Sequence, residues 1–354
     1  MKTLNNKTNL KEAAFRYHAF SNNNVLDRNH PDHNEHFHRP YEQLAKLLKQ
    51  HGYALKTSDM SKGNPIFTID LDVQDFCENS LQYLLMLETI YVNPENRKIP
   101  EFYRKVFTWN DSLVDGDRFI KINFPNTIRV LDVPEFIERD KFCCLIAANK
   151  SVKHYDHREL YSERVNIVRW FEQNHPSDID LYGIGWDMPV VSNSIGNKIK
   201  SKIWRLLNLG HWITVFPSYK GIVEKKESVL LKTKFTICYE NVHDIPGYIT
   251  EKIFDAFMSG CIPVYWGASN ISDYIPASCF IDRRNFSNNE ELYQFMKIMD
   301  ASTYSHYQSE IKKFLKSESS YSYGSDYFVE TICHSIIGDI NSLKISSNES
   351  LDCS

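Results

Sequence analysis

The sequence lacks any long run of apolar residues. No stretch of its 354 residues approaches the about 20 apolar residues that a membrane-spanning helix needs. Its first residues, MKTLNNKTNLKEAAF, also lack the apolar segment of a secretory signal. We therefore expect a cytoplasmic protein.

The sequence also lacks an excess of charge of one sign and lacks any CxxC pair. The formal net charge is −4, and the lysines and arginines are dispersed along the chain. This composition gives no reason to expect nucleic acid as a partner. Several of the eight cysteines lie inside apolar runs, which favours buried free thiols in a reducing compartment over a disulfide framework.

Apolar runs and helical patterns alternate in the second part of the chain. Buried strands are predicted at 141–149, 178–186, 234–241, 261–267 and 279–286. Helices are predicted between or after them, at 159–173, 249–260 and 289–299. This alternation predicts a parallel, doubly wound α/β domain. The less regular first 135 residues predict a second α/β domain.

Charged residues are concentrated in one loop and helix start within YENVHDIPGYITEKIFDAFMSGCIPVYWG, residues 239–267. Thr250 suits the N-cap of a helix that begins at Glu251, and such a helix start favours a phosphate. Lys252 adds a full positive charge, and Glu251 can accept hydrogen bonds from sugar hydroxyls. The alternative is that both charges are solvated residues in the first turn of a core helix.

The segments FTICYEN, GYITEKIFDAFMSGCIPVYWG and YIPASCFIDRRNF, within 234–286, resemble the donor-binding core of the α1,3/4-fucosyltransferases, glycosyltransferase family 10. The resemblance implies an α/β, GT-B architecture with two Rossmann-like domains facing a central cleft. It also implies inverting transfer of fucose from GDP-fucose to a sugar hydroxyl. We accordingly predict three segments: an acceptor-binding domain at 1–138, a donor-binding domain at 139–338 and a polar tail at 339–354.

The resemblance also assigns donor-binding residues. The family's donor contacts fall on Asn241, Tyr248, Glu251 and Lys252. The family further places an arginine against the pyrophosphate, on the helix after the first strand of this domain. SERVNIVRWF matches that pattern best, so we assign Arg164, and Arg158 remains the alternative.

A catalytic base is implied in the N-terminal domain, after an apolar strand and near a proline-containing loop. LLMLETIYVNPEN offers Glu88 there, with Glu95 as the alternative. In the implied reaction Glu88 removes the proton of the acceptor hydroxyl as it attacks the anomeric carbon. Arg164 and Lys252 would stabilise the charge that develops on the leaving diphosphate.

Two Asp-x-Asp motifs, at 70–72 and 115–117, could hold a divalent metal, and four histidines crowd the segment 30–38. Asp-x-Asp is common by chance, both motifs lie outside the expected donor domain, and the histidine segment lacks a second cluster. We expect no metal site and no required cofactor, with a divalent metal at most stimulating the reaction.

The acceptor is the least defined partner. We expect an oligosaccharide or glycoconjugate of the GlcNAc type, and a bacterial enzyme of lipopolysaccharide or glycan biosynthesis, peripherally associated with the inner membrane face. Two other functions stay open. One is transfer of another sugar, from a GDP-deoxysugar or from UDP-galactose, and the other is a non-catalytic module that binds nucleotide sugars.

Overall fold

The structure is a computed structural model that describes residues 10–31, 35–152, 156–188 and 215–352. The chain forms two compact units. Unit 1 comprises Met1–Thr127 and Tyr321–Ser354, and unit 2 comprises Ile128–Ser320. Each unit has its own parallel sheet and its own hydrophobic core.

Unit 1 is built on six parallel strands. They are β1 (Lys11–Arg16), β2 (Tyr53–Thr57), β3 (Phe67–Leu71), β4 (Leu81–Met86), β5 (Tyr103–Thr108) and β6 (Phe119–Lys121), with helix α1 (Glu35–Gln50) between β1 and β2. Their spatial order is β2-β1-β3-β4-β5-β6. Every residue of β3 is buried, as expected for a strand covered on both faces. The order reverses direction between β1 and β3, where open α/β sheets place their ligands.

Unit 2 is built on a second set of six parallel strands. They are β7 (Lys141–Ile146), β8 (Ile179–Tyr182), β9 (Tyr219–Gly221), β10 (Thr233–Tyr239), β11 (Ile262–Trp266) and β12 (Ile281–Asp282). The order β12-β11-β10-β7-β8-β9 is the order of a Rossmann sheet. Its direction reverses between β7 and β10, so a ligand is expected at the carboxyl ends of these two strands.

Helices lie between the strands of unit 2 and after its last strand. Those that the structure describes are α2 (Tyr161–Asn174), α3 (Lys226–Leu230), α4 (Glu251–Met258), α5 (Asn289–Lys297), α6 (Ala301–Leu315) and α7 (Glu318–Tyr321). Asn288 and Asp300 cap the starts of α5 and α6, because their side chains accept from Glu291 N and Thr303 N. Gly260 follows α4 with φ +61°, and a Cβ there would lie 2.5 Å from Val133 Cγ2. Glycine is therefore required at the turn into β11.

The chain ends in helix α8 (Ser325–Asp352), which belongs to unit 1. Ile332, Ile336 and Ile340 recur at helical spacing and are buried in the unit 1 core. The structure therefore differs from the predicted segments, in which 128–138 belonged to the N-terminal domain, 321–338 to the donor domain and 339–354 to a tail. For α8 the physical reason is this apolar stripe, which can be buried only against a partner surface.

The cysteines agree with the expected free thiols. Seven of them lie among the described residues, all unpaired and six of them buried, while Cys353 lies outside the described residues. Among the helices of the described ranges, none combines the length and the hydrophobicity that crossing a bilayer requires.

Candidate functional site

A pocket lies at the point where the unit 2 sheet reverses direction. Ile146 and Ala147, at the carboxyl end of β7, form part of its wall with Tyr239 at the end of β10. Three cations and one carboxylate also line it: Arg164, Lys226, Lys252 and Asp255. The three convergent cations suit a small polyanionic ligand.

Arg164, on α2, begins a chain of hydrogen bonds along one side of this site. Its Nε and Nη2 donate to the carbonyl oxygen of Tyr239 at 3.2 and 2.7 Å, and Nη2 also donates to Asn241 Oδ1 at 3.1 Å. Asn241 Nδ2 in turn donates to the hydroxyl of Tyr248 at 3.1 Å. Three of the predicted donor residues are thus connected directly.

Arg164 is well placed to hold a diphosphate. It is 4 % exposed, and burial lowers the pKa of its guanidinium below the usual value, although nearby tyrosines and carboxylates oppose this shift. Its bonds to Tyr239 and Asn241 fix the guanidinium plane, while Nη1 carries two further donors. Arg158, the alternative, instead forms an ion pair with Asp156 at 3.0 Å on a partly exposed loop.

Tyr248 and Gly247 form the loop that leads into α4. Tyr248 is 1 % exposed, so its ring is part of the core and only its hydroxyl joins the hydrogen-bonded chain. Gly247 has φ +81°, which agrees with the expected tight turn. The loop is held from the other side by Asn270, whose Oδ1 accepts from Gly247 N at 2.9 Å.

Thr250 and Lys252 meet a carboxylate that the sequence analysis did not assign. Glu240 is fully buried, and its Oε1 accepts from Thr250 N at 2.8 Å. Its Oε2 accepts from the Thr250 hydroxyl at 2.7 Å and from Lys252 Nζ at 2.9 Å. Thr250 is therefore at the predicted N-cap position, but its side chain does not cap the helix. Its hydroxyl instead donates to Glu240, and its oxygen accepts from Lys252 Nζ.

Charges around Lys252 alternate in sign. Burial acts to lower the pKa of Lys252, but Glu240 and Glu251 outweigh burial and raise it. Partial burial acts to raise the pKa of Glu251, yet the ammonium groups of Lys252 and Lys226 lower it to about 2. Lys252 and Glu251 are therefore both charged at neutral pH, the first able to contact a phosphate and the second able to accept from hydroxyl groups.

Two further residues of the pocket were not predicted. Lys226 Nζ lies 2.6 Å from Asp255 Oδ2, and burial raises the pKa of Asp255 in spite of this pairing. The sequence does contain a signal for the Lys226–Asp255 pair, because Asp255 lies one helical turn after Glu251. Two like charges at this spacing are unfavourable without a nearby cation.

Glu88 lies in unit 1, two residues beyond β4, at the carboxyl end of that sheet. It is half-buried, and its Oε2 atom is buried. Asn96 Nδ2 donates to the backbone carbonyl of Glu88 at 3.1 Å and to Asp72 Oδ1 at 2.9 Å. The Asn96 side chain thus connects the loop after β4 to the end of β3, next to the reversal point of the unit 1 sheet.

The charge of Glu88 affects the pKa of two tyrosines. Burial, together with the carboxylates of Asp72 and Glu88, raises the pKa of both Tyr17 and Tyr41. Glu95 differs, because it is exposed in the short turn Pro94–Arg97. The partly desolvated setting of Glu88 is the one that suits a general base.

The Asp-x-Asp motifs have structural explanations. Asp70 is fully buried, where it accepts from Arg16 Nε at 2.7 Å and from the Tyr103 hydroxyl at 2.9 Å. Asp115 instead accepts from the backbone N–H groups of Asp117 and Phe119 in a turn. His33 and the side chain of His36 lie outside the described residues. Elsewhere in the described ranges, no three His, Cys, Asp or Glu side chains are grouped as a metal site would require.

Residues 139–342, more than half of the chain, match the family model described as "Glycosyltransferase family 10 (fucosyltransferase) C-term". The chain belongs to glycosyltransferase family 10. The matched region contains the whole Arg164–Asn241–Tyr248 chain together with Glu240 and Lys252. The resemblance found in the sequence is thereby confirmed.

Known members of family 10 align with this chain over a short segment. An α-(1,3)-fucosyltransferase of Helicobacter pylori is 38 % identical over 78 residues, which are 22 % of this chain and 16 % of the relative. An α-(1,4)-fucosyltransferase of Arabidopsis thaliana is 38 % identical over 78 residues, which are 22 % of this chain and 19 % of the relative. The aligned segment thus spans less than a fifth of either relative.

Solved structures share the fold over nearly the whole chain. An α1,3-fucosyltransferase with GDP has a TM-score of 0.52 at 12 % identity, covering 95 % of this chain and 93 % of that one. With two parallel-sheet, Rossmann-like halves, this family 10 chain has the α/β fold class of the GT-B glycosyltransferases, as predicted.

Proposed function

We propose that the chain transfers L-fucose from GDP-fucose, with inversion at the anomeric carbon, to a hydroxyl of a GlcNAc-type or related glycan. The observation that carries this proposal is the cluster of Arg164, Asn241, Tyr248 and Lys252 at the reversal point of a Rossmann sheet. Family membership supports the same assignment, since two relatives are named as fucosyltransferases.

Arg164 and Lys252 are the proposed diphosphate ligands. Both line the same pocket, and each is fixed by hydrogen bonds from one side while keeping further N–H donors. An ammonium carries three donors, of which Lys252 directs two to Glu240 and Thr250. The third is able to contact a phosphate oxygen. Glu251, kept ionised, is the proposed acceptor for hydroxyl groups of the ribose or the fucose.

Glu88 is the proposed general base. The acceptor hydroxyl loses its proton to the Glu88 carboxylate and its oxygen bonds to the anomeric carbon, while the bond from that carbon to the GDP oxygen breaks. Positive charge builds up on the sugar ring, as in glycoside hydrolysis. Negative charge builds up on the diphosphate, where fixed cations stabilise it without reorganisation.

Divalent metal is not required in this proposal. Lys226, Lys252 and Arg164 converge on one pocket and can neutralise a diphosphate. We expect the rate of transfer in EDTA to stay within about twofold of the rate without chelator. The reason is that cations fixed on the protein can stabilise the charge of the diphosphate without a metal ion. A complete loss of transfer in EDTA, restored by Mn²⁺ or Mg²⁺, would contradict this part.

The proposal is tested by incubating the protein with GDP-fucose and N-acetyllactosamine-type acceptors and measuring both GDP release and the fucosylated product. We expect product with an α-linked fucose, since the donor is β-linked and the reaction inverts. GDP release no faster than without acceptor would contradict the proposal. Transfer only from a GDP-deoxysugar or UDP-galactose, or tight donor binding without turnover, would support the two alternative functions instead.

We propose that this transfer takes place in the cytoplasm, with the chain at the inner membrane face in bacterial glycan or lipopolysaccharide biosynthesis. The buried free thiols support a reducing compartment. Fractionation of the native cells tests this placement, and recovery of the protein outside the cytosol and inner membrane would contradict it.

A further inference from the structure

Glu240 is a buried carboxylate for which the proposed reaction has no use. It is fully inaccessible to solvent and follows directly after β10, whose last residue, Tyr239, supplies the carbonyl held by Arg164. An ionised group in such a position is strongly unfavourable unless it is paired and hydrogen-bonded. Glu240 can therefore stay ionised at the base of the site only if its neighbours pair with it.

The hydrogen bonds of Glu240 all lead to the start of α4. Its two oxygens receive three donors, from Thr250 N, the Thr250 hydroxyl and Lys252 Nζ, at 2.7 to 2.9 Å. Lys252 Nζ also donates to the Thr250 hydroxyl oxygen at 2.8 Å. One carboxylate thus holds both the turn into the helix and the ammonium group that is proposed to meet the diphosphate.

The surroundings leave Glu240 little freedom to move. A Cβ at Gly267 would lie 2.5 Å from Glu240 Cγ and 2.4 Å from the Tyr265 hydroxyl, so the side chain is packed directly against the backbone of the loop after β11. Tyr265, in the same place, donates to the carbonyl oxygen of Tyr248 at 3.3 Å. The support under the donor loop is therefore rigid as well as charged.

We propose that Glu240 is a positioning residue that holds the ammonium group of Lys252 in the orientation needed to bind the donor diphosphate. This inference rests on the proposed function. Glu240, which is inaccessible to solvent, acts through Lys252. Its negative charge offsets the repulsion between that ammonium group and the guanidinium of Arg164. A free lysine side chain would lose rotamer entropy on binding, which a preformed position avoids.

Glu240→Gln tests the proposal because it keeps the shape and removes both the charge and one acceptor. In either orientation of the glutamine amide, its NH₂ group faces at least one of the three donors and cannot accept a hydrogen bond from it. We expect GDP affinity, measured by titration calorimetry, to fall about tenfold, the range for losing a charge-assisted hydrogen bond. The exposed Glu290→Gln on α5 is the matched control, with affinity within about twofold of wild type.

The decisive measurement is the coupling of Glu240→Gln with Lys252→Ala. If Glu240 acts through Lys252, the double variant binds GDP within about twofold of Lys252→Ala alone, because the positioned group is already gone. Affinity losses that multiply in the double variant, or wild-type affinity in Glu240→Gln, would overturn the proposal. A role in folding alone would lower the thermal unfolding midpoint without producing this coupling.

A second variant covers the case in which Glu240→Gln does not fold. Thr250→Val removes the hydroxyl between Glu240 and Lys252 while keeping the side-chain shape. We expect weaker GDP binding, again without further loss when it is combined with Lys252→Ala, and unchanged affinity would overturn the proposal. No GDP binding by the folded wild-type chain would contradict the proposed function itself, which separates the two failures.

Discussion

Individual charges at the donor site are set by their neighbours. Glu251 and Asp255 lie one helical turn apart on α4, yet the pKa of Glu251 is lowered to about 2 while that of Asp255 is raised. The difference follows from position. Burial is the largest single effect on the pKa of both carboxylates, but Lys252 and Lys226 together outweigh it at Glu251 and do not outweigh it at Asp255. Chemically similar carboxylates thus acquire different properties within one pocket.

The low pKa of Glu251 should be visible in how the free energy of unfolding depends on pH. A carboxylate with a depressed folded-state pKa stabilises the protein above its usual pKa and loses that contribution as pH falls through the folded-state value. We expect Glu251→Gln to lower the free energy of unfolding at pH 7 by no more than about 1 kcal/mol, because solvent screens a half-exposed pair. The difference from wild type should be constant above about pH 4.5 and vanish near pH 2.

Urea unfolding of both proteins at pH 7, 4 and 2.5 measures this difference. If the stability advantage of wild type over Glu251→Gln grew as pH fell, the low pKa of Glu251 would be contradicted. That result would mean that the charged carboxylate destabilises the wild-type protein.

Glu88 should matter for the rate of transfer and not for the affinity for GDP. We expect Glu88→Gln to lower kcat by about 100- to 10,000-fold, the range for loss of a general base, because the amide cannot accept the acceptor's proton. GDP affinity should stay within about twofold of wild type. Initial-rate kinetics and calorimetry check the two quantities.

Glu95→Gln is the control for that experiment, since Glu95 is exposed seven residues further along the same loop region. It should keep a kcat within about twofold of wild type. A kcat that falls in Glu95→Gln and not in Glu88→Gln would reverse the assignment of the base.

At the scale of elements, the segment that carries the motif was the most predictable. The predicted strand 234–241, helix 249–260 and strand 261–267 are observed as Thr233–Tyr239, Glu251–Met258 and Ile262–Trp266. Local chemistry determines these bounds, because apolar runs form the strands and Gly260, with its positive φ, ends the helix region.

Three predicted strands are shorter in the structure: 141–149, 178–186 and 279–286 are observed as Lys141–Ile146, Ile179–Tyr182 and Ile281–Asp282. The strand predicted at 178–186 ends at Tyr182, because Gly183 and Gly185 have φ of +128° and +87°. Strand β6 likewise ends at Lys121, although the run FIKINFPN at 119–126 has the composition of a longer strand. Beyond it, Asn123 donates from its side chain to the carbonyl oxygen of Ser322, a contact that no local pattern could reveal.

Helix α8 shows what a local pattern misses. Its apolar stripe is visible in the sequence, but its main partner is helix α1, formed more than 200 residues earlier in the chain. We expect Ile336→Ala, at a fully buried position, to lower the free energy of unfolding by about 3 kcal/mol through lost burial and a cavity.

The matched control for α8 is Ile345→Ala, on the same helix but 59 % exposed, which should change stability by less than about 0.5 kcal/mol. Urea denaturation compares the two variants. Equal, small effects would show that α8 does not contribute to the unit 1 core.

At the scale of the whole molecule, each unit repeats one physical arrangement. Both sheets are parallel and both reverse strand order once, and each reversal point carries residues of the proposed reaction: Glu88 near one, and Arg164 with Lys252 at the other. The alternating pattern predicted the α/β domain of unit 2, and the less regular first 135 residues predicted a second α/β domain. It could not predict the strand orders or the burial of Glu240, because these depend on which segments meet after folding.

The central claim is that Arg164 and Lys252, in the pocket at the reversal point of the unit 2 sheet, bind the diphosphate of the donor. A crystal structure of the protein with GDP tests it most directly. We predict phosphate oxygens within about 3 Å of Lys252 Nζ and of the Arg164 guanidinium, with Glu240 still bonded to Lys252. GDP bound away from these two residues would contradict the account.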